Sequence, residues 1–514
     1  MRSGSALPVS VSQVLPEQGV RTARHLGVYG AAQVGQALLA LVLVATLARA
    51  MGREGFGQFS LALVIASLGG LIADFGLGPW LTRAVAQSPS SSASLLRDVV
   101  GLRVRLVLVS WAITLVASAI YLKDPVRVMG VAAMLGYVTV IGYVVLYESL
   151  LIGRGYVGRV ALSVFGGKAL ELSAVALWFV FGGHAQVAYV AAALAAGCLV
   201  RLAFAWRLSR VALVPLAGAM PRAVDPVAAP EPSASLPLLV QVFPFALGAW
   251  MWTAYFKSDV LILERLSTPV GLGLYTAAYR VIEALMLVPR AVVGVSYPIV
   301  SAAWSEGTLT AGMLARPGRL LALVSLAAGA GLWVLAPETM QFLFSSSFVE
   351  GAAALRVLAL CVPIIFMNQY LGMLLPATHR QNAWVALLGI ALVLNVITNL
   401  ILIPILDIRG AAWATMASEC FSLAGCAVLV ARRHGWFLPP GWLIRALAAA
   451  AGMGWGVSVI PGPLVVRVAA GAALFVGLAL ALRAVTIEDR SLGAGLLRRI
   501  FGRASASSAG SSSP

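Results

Sequence analysis

Residues 383–406 read AWVALLGIALVLNVITNLILIPIL, 24 positions without one charged side chain. Wound as a helix at about 1.5 Å per residue, this run is about 36 Å long, enough to cross a bilayer core of about 30 Å. Residues 27–48 and 185–206 are two more long, nearly charge-free runs, and comparable stretches recur along most of the chain. Of 514 residues, 11% are charged and 61% hydrophobic, whereas a soluble domain is about 25% charged. The pattern predicts an all-α polytopic membrane protein.

Residues 1–20 are polar and lack an apolar core, so no cleavable signal sequence is expected. The four cysteines, Cys198, Cys361, Cys420 and Cys426, all fall inside apolar runs and read as buried hydrophobes rather than disulfide or metal ligands. With four histidines, no CxxC and no HExxH, no metal site is expected. No GxxxxGK[ST] loop is present, which excludes an ATP-driven pump on this chain, and no cofactor is expected.

The hydropathy pattern predicts about fourteen spanning helices, near residues 27–49, 57–77, 100–122, 128–152, 158–181, 185–206, 237–257, 270–297, 317–336, 352–375, 383–406, 410–431, 441–460 and 463–483. An even number puts both termini on one side. Lys and Arg assigned to loops on that side outnumber those on the other by 24 to 9, so the positive-inside rule makes the termini cytoplasmic. The net charge of +17 is thereby explained by membrane topology, and no nucleic-acid partner is implied.

Residues 207–236 are polar, rich in Pro and Ala, and read as a cytoplasmic linker between two halves. The expected organisation is a cytoplasmic tail at 1–26, a first six-helix lobe at 27–206, the linker, and a second six-helix lobe at 237–435. Two appended helices at 436–483 and a tail at 484–514 follow. Gly55-Phe56-Gly57-Gln58-Phe59-Ser60 and Gly271-Leu272-Gly273-Leu274-Tyr275-Thr276 share the pattern G-x-G-x-aromatic-hydroxyl, each opening a helix. Leu150-Leu151-Ile152-Gly153 is echoed in the same order by Leu374-Leu375-Pro376-Ala377. An even number of helices per half makes the repeat parallel, which puts a cavity between two lobes and alternates its access.

The stretch LARAMGREGFGQFSLALVIASLGGLIADFGLGPWLTRAVAQ (47–87) carries the D-x-G-L segment at 74–77. Together with VGLGLYTAAYRVIEALMLVPRAVVGVSYPIVSAAW (270–304) and LNVITNLILIPILDIRGAAWATMASE (394–419), it resembles the oligosaccharide-lipid flippases. These belong to the multidrug/oligosaccharidyl-lipid/polysaccharide exporter superfamily. Asp407 stands where that family often has Gly. The resemblance implies the V-shaped fold of multidrug and toxic-compound extruders. It also implies flipping of undecaprenyl-diphosphate-linked oligosaccharide across a bacterial cytoplasmic (inner) membrane, for O-antigen, capsule or exopolysaccharide synthesis. The implied partners are the polyprenyl-diphosphate-linked glycan, membrane lipids and other polysaccharide-assembly membrane proteins.

Charges inside a bilayer cost several kcal/mol, about 3 or more each, and mark functional positions. Lys168 lies near the midplane of the fifth span and Arg280 at similar depth in the eighth, one in each half. They are the candidate cavity cations for a diphosphate, with Arg290 on the same helical stripe as Arg280 and Glu283, and Arg24 at the entrance. Lys168 with Glu171 and Arg280 with Glu283 are each spaced i,i+3, so self-neutralisation is the competing reading. Pro289 is expected to kink the eighth span. Asp74, Glu148 and Glu419 are candidates for gating or coupling, alongside Glu171 and Glu283; helix packing is the alternative. Arg83, Arg103 and Arg105 read as topology determinants. Asn395 and Asn399, four apart, suit interhelical hydrogen bonds or sugar contact.

Two other functions compete with a flippase. A cation-coupled drug exporter wants an acid inside the first or seventh span, and residues 27–47 and 237–256 contain none. A polyprenol-dependent polymerase wants a large external segment. The longest one expected, 337–351, holds only Glu338 and Glu350 as acids and no basic partner.

Overall fold

The computed structural model describes residues 11–213 and 237–485, and among them all regular structure is helical. The helices are α1 Val11–Asp74, α2 Leu77–Gln87, α3 Ser92–Leu122, α4 Pro125–Gly153, α5 Val157–Val180, α6 Val187–Leu213, α7 Leu238–Leu266 and α8 Pro269–Leu285. They are followed by α9 Leu287–Ser305, α10 Ala311–Val334, α11 Ala336–Leu343, α12 Ala352–Ala377, α13 Gln381–Leu406, α14 Ile408–His434, α15 Pro440–Val459 and α16 Leu464–Ala481.

Among the described residues, thirteen helical segments are long and apolar enough to cross a membrane. The first, Val28–Gln87, has 60 residues, about 90 Å of helix against a core of about 30 Å, so it crosses twice. Gly52 makes the turn with φ 69° and ψ −179°, a backbone state that a Cβ disfavours. Fourteen crossings result among the described residues. Large apolar side chains such as Leu108, Ile120, Ile405 and Trp455 stand exposed, as lipid-facing residues must.

Several boundaries differ from those read in the sequence, each for a local reason. The second crossing does not stop at residue 77: Phe75 (φ 42°) and Gly76 (φ 76°) break it after Asp74, and α2 resumes to Gln87. α7 runs to Leu266 rather than 257, because the polar trio Lys257-Ser258-Asp259 lies within the helix. α8 ends at Leu285, the residue whose carbonyl loses its intrahelical donor because Pro289 has no N–H. α6 continues through the first residues assigned to a linker, as far as Leu213. Residues 1–10 of the N-terminal tail, 214–236 of the linker and 486–514 of the C-terminal tail lie outside the described residues.

Two compact units make up the chain, Met1–Leu287 and Val288–Pro514. The first therefore takes in α7 and α8 beside α1–α6. The contact that fixes α8 there is glycine on glycine. A Cβ on Gly57 would stand 2.5 Å from the Pro269 carbonyl oxygen and 2.9 Å from the Gly273 nitrogen. One on Gly273 would overlap the Arg53 carbonyl. The two G-x-G segments matched as a repeat thus touch at equivalent glycines. Thr268 caps α8, its hydroxyl accepting from the Gly271 N–H at 3.0 Å, with Pro269 at the first helical position.

In the second unit α12 is central, with Phe366 and Tyr370 fully buried and the Tyr370 hydroxyl donating to the Leu314 carbonyl of α10 at 2.7 Å. α15 and α16 pack on each other and on α10. Asp407 has φ 51°, the left-handed backbone for which glycine is better suited. The segment around α11 does have a basic partner: Arg467 of α16 reaches Glu338 at 2.6 Å.

Candidate functional site

Lys257 and Arg280 come from neighbouring helices and share one carboxylate. Lys257 Nζ lies 2.8 Å from Glu283 Oε1, and Arg280 Nη1 lies 2.5 Å from Glu283 Oε2. Lys257 is nine residues from the end of α7 and Arg280 eleven from the start of α8. Both are therefore about 14–17 Å from the same end of the bundle, close to mid-membrane. The side chains are 21%, 19% and 31% exposed for Lys257, Arg280 and Glu283. The triad is thus only partly buried, and within it two positive charges face one negative. The Tyr279 ring lies 6.0 Å from Lys257 Nζ. Asp259, buried two residues on from Lys257 in α7, is held by its own neighbours: the Tyr275 hydroxyl donates to it at 2.5 Å and the Val260 N–H at 2.8 Å.

The second group of membrane charges is closed and balanced. Arg201 of α6 bridges Glu148 of α4 (2.9 Å) and Glu171 of α5 (3.3 Å). Lys168 adds to Glu171 at 2.6 Å, and hydroxyl donors complete both carboxylates, Tyr137 to Glu171 at 3.0 Å and Ser163 to Glu148 at 2.7 Å. Glu171 is wholly buried and Arg201 4% exposed. A Cβ on Gly167 would overlap the Arg201 side chain, so the missing side chain makes its space. Two cations and two carboxylates bind three helices together with no net charge. Lys168 and Arg280, expected to act alike, therefore sit in different electrostatic settings, both within the first compact unit.

A third pair stands at the break in the second crossing. Arg103 of α3, nearly inaccessible, donates to Asp74 at 3.1 Å and stacks over Tyr143 at 5.1 Å. Just past Asp74, the Phe75 ring meets Trp250 of α7 edge-on at 5.3 Å, and Trp250 Nε1 donates to the Leu71 carbonyl at 3.2 Å. Near their ends α3 and α7 are joined: the Tyr121 hydroxyl donates to the Leu261 carbonyl at 2.7 Å, and Arg265 donates to the Tyr121 carbonyl, one of the last four of α3. Arg127 pairs with Glu264 at the same place. α7 is thus tied to the first-repeat helices at two levels.

The remaining expected residues stand elsewhere in the chain. Glu419 is buried in α14 and accepts from Asn368 of α12 at 2.6 Å. Asn395 donates to Ser418 across α13 and α14 at 3.1 Å and accepts from Asn399 at 2.9 Å, both asparagines buried. Arg290 is exposed on α9, which follows the one-residue break at Met286. Arg24 lies outside the residues whose side chains are described.

Sequence reading alone misses Lys257, Arg201, Arg103 and Asp259 as intramembrane charges. It puts Lys257 at a helix end and Arg201 on a cytoplasmic flank, because a charge beside an apolar run is ordinarily its boundary. A signal exists for Arg201, which lies inside the run 185–206 rather than past it.

The family model described as polysaccharide biosynthesis protein matches residues 23–304, more than half of the chain. The chain belongs to that family. All three charge groups lie within the matched residues. Among relatives, the probable low-salt glycan biosynthesis flippase Agl15 of Haloferax volcanii is 31% identical over 169 residues, 32% of this chain. The match spans only 36% of that relative's length. The lipid II flippase MurJ in an inward closed conformation superposes with TM-score 0.67 at 12% identity, over 88% of this chain and 98% of that one. The multidrug transporter DinF-BH gives TM-score 0.58 at 15% identity, over 85% and 100%. At such identities the likeness establishes the fold alone, the one these two transporters share.

Proposed function

We propose that the protein flips an undecaprenyl-diphosphate-linked oligosaccharide across the cytoplasmic membrane by alternating access, supplying surface polysaccharide synthesis. The observation that carries this reading is the Lys257–Glu283–Arg280 triad: a partly exposed, mid-membrane site with positive charge in excess. Arg offers two parallel donors to a phosphate and Lys a compact charge, which suits a diphosphate. The family match and the glycan-flippase relative point to a lipid-linked sugar as the rest of the ligand.

In this reading both termini lie in the cytoplasm, as the Lys and Arg distribution favours, which puts the Arg127–Glu264 and Tyr121–Arg265 contacts at the external end. Outward exposure of the triad then requires α7 to part from α3 and α4 there. Lys168 belongs in this reading to the neutral network that holds α4, α5 and α6 together.

Asp259 keeps a second reading in play, export of cationic compounds coupled to an ion, since it is a buried acid inside α7. Its carboxylate is occupied by Tyr275 and by backbone, which favours the first reading. Complementation of a flippase-deficient strain, run beside efflux of a panel of cationic dyes, separates them. Restored surface glycan with no dye efflux is expected; dye efflux without glycan rescue supports the exporter.

A further inference from the structure

We infer that Glu283 is a resident stand-in for the substrate's diphosphate, displaced when substrate binds and needed to expel it; this rests on the proposed function. The two oxygens of one carboxylate occupy the donors of both cations, at 2.8 and 2.5 Å. A diphosphate diester carries one negative charge per phosphate, so it matches Lys257 and Arg280 together with nothing left over. Glu283 and the diphosphate cannot both be neutralised by the same pair. One anion must leave, and Glu283 is the one on a side chain that is 31% exposed.

The carboxylate also accounts for the empty state. Two cations left bare at mid-membrane would each be costly, and Glu283 removes most of that cost by bridging them. The i,i+3 spacing on α8 keeps Glu283 within reach of Arg280 after it swings away, so it returns as the head group departs. Substrate binding is then an exchange of anions rather than the filling of a vacant site. This predicts opposite effects of one substitution on affinity and on turnover, a combination that a purely structural ion pair does not produce.

The test uses the full-length protein, with an undecaprenyl-diphosphate glycan, a diphosphate diester, in detergent as the binding probe and flipping of its fluorescent form in proteoliposomes as the rate. Glu283→Gln removes the competing charge while keeping the shape. Binding is expected to tighten about ten-fold, with flipping slowed by a similar factor. Unchanged or weaker binding by a variant with wild-type melting temperature overturns the exchange. If Glu283→Gln fails to fold, Glu283→Asp, too short to bridge both cations, is expected to tighten binding by a smaller factor. Weaker or unchanged binding there overturns the exchange equally. Absence of binding by the wild type overturns the diphosphate reading itself, a different outcome from a wild type that binds and a variant that binds no better.

Discussion

Gly57 and Gly273 stand at equivalent positions of two repeated segments and pack directly on each other, backbone to backbone. The contact brings the opening of the second crossing against the start of α8. A side chain at either position would meet carbonyl oxygens rather than a flexible neighbour. Gly57→Ala and Gly273→Ala are each expected to lower stability by about 1–3 kcal/mol, read as a fall in melting temperature of the purified protein. Gly101→Ala, where an added Cβ meets nothing within 4 Å, is the control and is expected to be neutral or mildly stabilising.

Arg201 is expected to matter to folding more than Lys168. Arg201→Ala leaves Glu148 and Glu171 buried without their common partner and is expected to cost about 3–5 kcal/mol. Lys168→Ala leaves Glu171 with Arg201 and Tyr137, for a loss of roughly 1–2 kcal/mol. Melting curves and the yield of monodisperse protein measure both. Equal losses would show that the network is not organised around Arg201.

The Arg127–Glu264 pair lends itself to charge reversal. Glu264→Arg sets two guanidinium groups together and is expected to destabilise the junction of α4 and α7, while Arg127→Glu combined with Glu264→Arg restores the pair. A coupling of about 0.5–3 kcal/mol is expected from the double-mutant cycle. A double variant no better than the sum of its parts would mean that the two side chains do not interact.

The helical fold is legible in the sequence because a bilayer demands long apolar runs, and residues 383–406 could serve nothing else so economically. Gly52 and Pro289 carry their breaks in the open. The site is legible only in part. Arg280 and Glu283 stand well inside a run, so depth and spacing identify them. Lys257 does not, since a polar trio near the expected end of a span is indistinguishable from its boundary until Glu283 is found opposite it across α7 and α8. The same ambiguity hides Arg201 and Arg103, whose carboxylates lie 29 to 53 residues away in the chain. Sequence spacing reveals partners within one helix, and these partners sit on different ones.

The most direct measurement is a structure of the protein bound to an undecaprenyl-diphosphate glycan. The diphosphate is expected within hydrogen-bond distance of both Lys257 and Arg280, with Glu283 swung clear of them. A head group lodged elsewhere, with the Lys257–Glu283–Arg280 triad intact, would contradict the account.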